Sequence, residues 1–198
     1  MKKTYIKNHK NKGIIFEGTF PNQRAALEAA VRDHVSLAYA DLRGARLNNA
    51  NLDGADLRFA QLENASLVGA NLSETDFTGA SLGNADCSLA CLCECRLQDA
   101  DCTDTVFAGT LVGGSTIDNT IFTALSAFAL PFAGINAGRN ILHHDGRVYT
   151  FTGAPVVISG LPKRIALLDN AVIIGNTAYA RGGFSSSWLA ELQRLCVA

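Results

Sequence analysis

The sequence predicts an all-β solenoid, and three observations predict it. From Leu37 to Phe122 every fifth residue is large and apolar. Two places before it stands a small residue, most often Ala. No proline interrupts residues 37–122, so the backbone can pair throughout. A period of five fits neither a helix nor the simple alternation of a strand. A unit this short buries its apolar side only by stacking on copies of itself.

The units begin ADLRG, ARLNN, ANLDG, ADLRF, AQLEN and ASLVG, and grow degenerate through TVFAG, TLVGG, STIDN and TIFTA. The large row includes Leu52, Leu57, Leu67, Leu72, Phe77 and Phe107, which are expected to form the structural core. The small row runs from Val35 and Ala40 to Thr110, Ser115 and Thr120. The other three positions are mostly Asp, Asn, Ser, Arg, Glu and Gly, as a solvated surface should be. This pattern resembles the pentapeptide repeat family, whose motif is A(D/N)LxX, over eighteen units. The resemblance implies a right-handed quadrilateral β-helix with four units per coil. Residues twenty apart then stack, so that Leu57, Phe77, Leu97 and Ile117 form one interior column. At one strand spacing per coil the rod is about 22 Å long.

The ends of such a rod expose strand edges and an open core, which need covers. Residues 1–34 read as an N-terminal cap, with a short strand at GIIFEG (13–18) and a helix at PNQRAALEAAVRDH (21–34). Residues 35–123 are the β-helix. Residues 124–198 read as a C-terminal capping β-module, with strands at 146–153, 155–160, 164–169 and 171–175 and a terminal helix at 185–197. The stretch GLPKRIALLDNAVIIG is similar to tails that follow pentapeptide repeats in some phage and bacterial proteins. The apolar segment Ala124–Ile135 serves as a buried cap or a homodimer patch, and exposed coil ends favour a homodimer.

The chain has 198 residues, 48% hydrophobic and 18% charged, which describes a folded protein and not a disordered one. The basic N-terminus lacks the apolar core of a secretory signal. The longest apolar run is too short to span a membrane. A cytoplasmic protein without membrane association is the expectation. The net charge of −1 hides an asymmetry. Residues 1–36 carry seven Lys/Arg against three Asp/Glu, residues 37–122 four against twelve, and residues 123–198 six against three. An acidic rod therefore lies between two basic ends.

Five of the six cysteines crowd into residues 87–102. They show none of the CxxC spacing of zinc sites, and no cofactor or metal is expected. The repeat puts Cys87, Cys95 and Cys102 inside and turns only Cys91 and Cys93 outward. His143, His144 and Asp145 precede Gly146, a run that fits either an acid–base or metal site or a turn before a strand. With no phosphate loop, GxSxG or HExxH present, no catalytic residue is assigned. Pentapeptide repeat proteins are not, as a family, enzymes.

Two binding sites are expected. Twenty-residue stacking brings Asp53, Asp56, Glu74, Asp76 and Glu94 to one edge as an acidic stripe, opposed by Arg96. Some family members imitate the shape and charge of DNA and bind DNA gyrase, so a DNA mimic is one reading. About 22 Å of duplex holds roughly 13 phosphates, whereas residues 37–122 carry a net charge of −8. At the basic end, Lys163, Arg164, Arg181, Ser185 and Ser186 form a candidate anion site for a nucleotide-like ligand, because a Gly/Ser turn into a helix offers free N–H groups. Neither site calls for direct binding to nucleic acid. The leading expectation is a non-enzymatic binding protein, by resemblance a phage or bacterial one that engages and blocks a host protein.

Overall fold

The computed structural model describes residues 1–123, 134–153, 156–158, 165–169 and 171–180. Two strands begin the chain, β1 (Lys2–Lys7) and β2 (Ile14–Phe20), paired antiparallel from Lys2↔Phe20 to Ile6↔Phe16. Helix α1 (Gln23–Arg32) follows. The sequence placed one strand and this helix in the region and missed β1, whose lysines break the apolar alternation that marks a strand. The helix starts after Pro21 because Asn22 caps it, its side chain accepting the Ala25 N–H at 2.9 Å. Ile6, Leu27 and Ala30 join Leu37 and Ala40 in one continuous core. Main-chain bonds tie the two parts together, with His9 N–H donating to Tyr39 O and Asp41 N–H to Lys7 O.

From Leu37 onward each coil rests on the next with a fixed offset of twenty residues. Asp41 pairs with Gln61, Gln61 with Ser81 and Ser81 with Asp101, all parallel. Within a rung, Leu57 N–H donates to Asp76 O at 2.9 Å and Gln61 N–H to Ala40 O at 2.9 Å. Each unit then turns a corner, closed by bonds such as Ala60 N–H to Leu57 O at 3.1 Å. The corner's second residue is left-handed, as in Gly44 (φ +64°), Asn49 (φ +55°) and Phe59 (φ +58°), so Gly and Asn recur there. Phe59 tolerates the position by stacking on Tyr39, ring centroids 5.0 Å apart. Gly79, one coil on, leaves room for that ring, since a Cβ there would lie 2.5 Å from it.

Apart from the partly buried Val35, both inward rows are buried, including Leu52, Leu57, Leu67, Leu72, Phe77 and Phe107, each with no exposed surface. Where the small row turns polar, each side chain finds a carbonyl 23 residues back. Thr75 Oγ1 donates to Leu52 O at 3.0 Å, Thr105 Oγ1 to Leu82 O at 2.8 Å and Thr110 Oγ1 to Cys87 O at 2.9 Å. A buried hydroxyl is costly only when unsatisfied, so these coils keep their shape without alanine.

The last coils are drawn out as short strands, β3 (Asp101–Cys102), β4 (Thr116–Ile117) and β5 (Ile121–Thr123). The twenty-residue register then runs past the boundary at 123. Strand β6 (Asn136–Ala137) pairs parallel with β4, and β7 (Arg139–His144) with β5 in the register Ile121↔Ile141. Leu142 is buried one rung beyond Phe122, and Asn140 fills the small position, its side chain accepting the Thr120 N–H. Two residues of left-handed φ, Asp145 (+50°) and Gly146 (+67°), reverse the chain into β8 (Arg147–Thr152). This is the type I′ hairpin that Asp-Gly favours, and it makes β8 antiparallel to β7. The HHDG run is therefore a strand end and its turn.

Beyond it, β9 (Val156–Ile158), β10 (Ile165–Leu167), β11 (Ala171–Ile174) and β12 (Thr177–Ala180) form an antiparallel sheet in the order β12-β11-β10-β9. Strands β6, β7 and β12 were not expected. Ala166, Leu168, Ala171 and Ile173 join the solenoid core, while Ile165, Val172 and Ile174 form a second cluster. The expected terminal helix at 185–197 and nearly all of Ala124–Ile135 lie outside the described residues.

Candidate functional site: an acidic edge on the solenoid

The fold sorts the five expected acids into three adjacent columns. Asp53 follows an inward Leu, in a column with Ser73 and Cys93, each twenty residues on. Glu74 and Glu94 occupy successive left-handed corners, at φ +57° and +59°. Asp56 and Asp76 are bridge partners across the corner, on the next side. The twenty-residue offset thus brings all five to one edge of the rod.

Their electrostatics differ by column. Arg58 grips Asp56 with two bonds, Nε to Oδ1 at 2.8 Å and a terminal nitrogen to Oδ2 at 2.9 Å. That pair, with the Ser36 hydroxyl bonded to Asp56, holds the carboxyl down at about 2 against partial burial. Arg96 stands 3.8 Å from Asp76. Arg96 was expected to oppose the stripe; Arg58 was not, because its partner lies only two residues away in sequence and on its own unit. Asp53, Glu74 and Glu94 have a different setting. No Lys or Arg occupies residues 51–54, 71–74, 91–94 or 111–114, which make up that side of the coils. The net negative edge is thus these three residues, and the Asp56–Asp76 column beside them is largely neutralised.

At its lower end the edge opens into a groove of about 930 Å³ between α1 and the first coils. Glu28, Arg32, His34, Ser36, Asp53 and Asp56 are among its lining residues. Glu28 is committed to structure there, its Oε1 accepting the Asn51 N–H at 3.1 Å. Nothing in the sequence pattern signals this groove, because it depends on where the helix lies against the coils. A second acidic group, Asp99, Asp101 and Asp104, is absorbed locally: Asp99 accepts from Asn119, Asp101 from the Thr103 N–H and Asp104 from Thr123.

Lys163, Arg164, Arg181, Ser185 and Ser186, the expected anion site, lie outside the described residues. Two further arginines of the basic end are separated, since Arg139 pairs with Thr152 and Arg147 with His144 at opposite ends of the β7–β8 ladder. His144 Nε2 lies 3.0 Å from Asn176 O. Cys87, Cys95 and Cys102 are buried, and burial pushes the Cys87 thiol up to about 12. Among the described residues no group of three or more His, Cys, Asp or Glu could hold a metal ion. Among them also, no helix is long and apolar enough to cross a membrane.

The family model described as pentapeptide repeats matches this chain in eight copies, over residues 33–67 and 60–99. No curated protein matches it. Among solved structures, the chain is similar to full-length QnrB1, a plasmid-mediated fluoroquinolone resistance protein, at 20% identity over 48% of this chain and 47% of that one, with a TM-score of 0.41. A pentapeptide repeat protein from Nostoc Pcc 7120 matches at 26% identity over 55% of this chain and 81% of that one, TM-score 0.35. Another, from the cyanobacterium Cyanothece 51142, matches at 38% identity over 43% of this chain and 65% of that one, TM-score 0.22. The chain thus spans under half the length of QnrB1. Eight repeat copies matched over 33–99, carried on a ladder of constant twenty-residue offset, show that residues 33–99 are pentapeptide repeats.

Proposed function

We propose that this is a non-enzymatic binding protein whose solenoid side, along Asp53, Glu74 and Glu94, recognises a basic patch on a protein partner. The observation that carries this reading is the run of three acids along coil stretches 51–54, 71–74, 91–94 and 111–114, which hold no Lys or Arg. A rigid rod presents such charges at fixed spacing, which favours fast, specific encounter with a complementary surface. The N-terminal hairpin and helix, and the β7–β8 hairpin with the sheet beyond it, act in this reading as covers of the strand edges. The likeness of the tail to phage and bacterial proteins supports a host protein as the partner, blocked by occupation of its basic site.

The test is a comparison of two variants. Asp53→Asn/Glu74→Gln/Glu94→Gln should abolish co-purification of a specific partner at low salt, whereas Asp86→Asn on another side should preserve it. Equal retention by both would overturn the reading.

A second reading, a DNA mimic acting on DNA gyrase or another DNA-binding enzyme, draws on the same stacked charges and on the family resemblance. The ion pairs of Asp56 with Arg58 and Asp76 with Arg96 weaken it, because they thin a charge density already below that of duplex. Inhibition of gyrase supercoiling that disappears in the triple variant would favour it over the first. Capture of a nucleotide-like anion by Lys163, Arg164, Arg181, Ser185 and Ser186 is a third reading, tested by calorimetry with a nucleotide panel.

A further inference from the structure

We infer that Cys91 and Cys93 form a redox-active dithiol on the rod's acidic side, which reduces small-molecule disulfides and closes to an internal disulfide. Three features of the coil build the site. Leu92, between them, is wholly buried, so its two neighbours both point outward and are partly exposed. The Ser73 hydroxyl, one coil below, lies 3.2 Å from Cys91 Sγ. One coil above Cys93 stands Gly113, where an added Cβ would meet nothing within 4 Å, so a reagent can reach the sulfur from that side.

The two thiols are unequal. The Ser73 hydroxyl, which donates to Asn71 Oδ1 while Cys91 is a thiol, can turn to a Cys91 thiolate, and with the Cys93 backbone N–H it lowers the Cys91 pKa. The Cys93 thiol, hydrogen-bonded to Cys91, is raised. Low pKa and exposure mark the attacking thiol. Cys91 thiolate attacks one sulfur of R–S–S–R, forming a Cys91–S–S–R mixed disulfide and releasing RS⁻. Cys93 then gives up its proton and attacks the Cys91 sulfur, expelling the second RS⁻. The balance is one protein dithiol and one disulfide giving one protein disulfide and two RSH. Residues two apart in extended chain span at most about 6.4–6.8 Å, within what a disulfide bridges, and Cys93 stands where the chain bends into its corner. The buried thiols Cys87, Cys95 and Cys102 stay out of the exchange, since burial raises all three.

The experiment uses the full chain carrying Cys196→Ser. It is exposed to oxidised glutathione, quenched with an alkylating reagent, and read by intact mass and fragment mapping. The expected product has a bridge between Cys91 and Cys93, retains no glutathione, and reopens with dithiothreitol. Cys93→Ser should stop at one glutathione held on Cys91. Cys91→Ser should react at least ten-fold more slowly at Cys93. Two freely alkylated outward thiols, glutathione retained on both, or equal rates in the two serine variants would each overturn the proposal. Buried cysteines that resist alkylation until denaturant is added show that the fold is intact.

Discussion

The lower coils, Leu37 to Ala100, and the upper ones, Asp101 to His144, share one register but are written in different residues. Below, the small row is Ala at all but Thr75 and Cys95; above, among the described residues, it is Thr105, Thr110, Ser115, Thr120, Ile135 and Asn140. The lower coils match the family model to residue 99, yet the ladder carries on with the same offset through Ile121↔Ile141. What conserves the fold is thus a filled interior and a satisfied backbone ladder. The motif's letters are one way of meeting that requirement. Threonine meets it as well, because its hydroxyl bonds the carbonyl that alanine leaves to the turn.

The sharpest way to break the comparison is to charge the core in each half. Leu72 is sandwiched between Leu52 and Leu92, whereas Leu142 lies on the last parallel rung beside β8. Leu72→Asp puts a carboxylate in a closed stack and should cost more than about 4 kcal/mol, abolishing the cooperative melt seen by circular dichroism. Leu142→Asp should instead unfold the upper end and leave hydrogen-exchange protection in the lower coils, since a solenoid's stability is a sum over neighbours. A wild-type melt for Leu72→Asp would mean that the register is wrong.

A gentler probe removes one upper-coil hydroxyl. Thr105→Val keeps the volume and loses the bond to Leu82 O, a carbonyl that still accepts the Ala85 N–H. The expected loss is about 1 kcal/mol by chemical denaturation. A neutral result would mean that the hydroxyls are tolerated and contribute nothing.

How much of this was legible in the sequence follows the same divide. The inward rows from Leu37 to Phe122 were readable residue by residue, since burial imposes the period directly. The register beyond 123 was not, because Ala137 and Asn140 replace the apolar and small residues that mark a unit. Strand β1 was hidden by its lysines. The acidic edge was legible as a stack of twenty-residue offsets, but its partial neutralisation by Arg58 was not, because the period says nothing about where a long side chain folds back. The groove beside α1 and the inequality of Cys91 and Cys93 both depend on neighbours from other elements, which no local pattern records.

Acid should separate the halves further. Arginine holds both Asp41 and Asp56 below the usual carboxylate range in the lower coils, Asp56 at about 2. A depressed folded pKa contributes stability that is present above the unfolded value, 3.8 for Asp56, and is lost as pH falls through it towards 2. Wild type should therefore lose stability between about pH 5 and pH 2. Asp56→Asn should flatten that limb by less than about 1 kcal/mol, because solvent reaches the half-exposed Arg58 and screens the pair. An unchanged acid limb would mean that solvent screens the pair completely.

The smallest effect is expected at Asn71, and that smallness is informative. Asn71 donates to Asn51 Oδ1 at 3.1 Å and accepts from Ser73 Oγ at 2.9 Å and from its N–H at 3.2 Å. Three bonds on one motif residue look like a structural requirement. The bond to Asn51 is exposed and the two from Ser73 are only part-buried, however, so water replaces them at little net cost. Serine can still accept the Ser73 N–H, and the neighbouring columns already carry Ser66 and Ser81 at the equivalent position. Asn71→Ser should shift stability by less than about 0.5 kcal/mol. A loss above about 1.5 kcal/mol would show that ladders of stacked amides, and not only the interior, hold the lower coils in register.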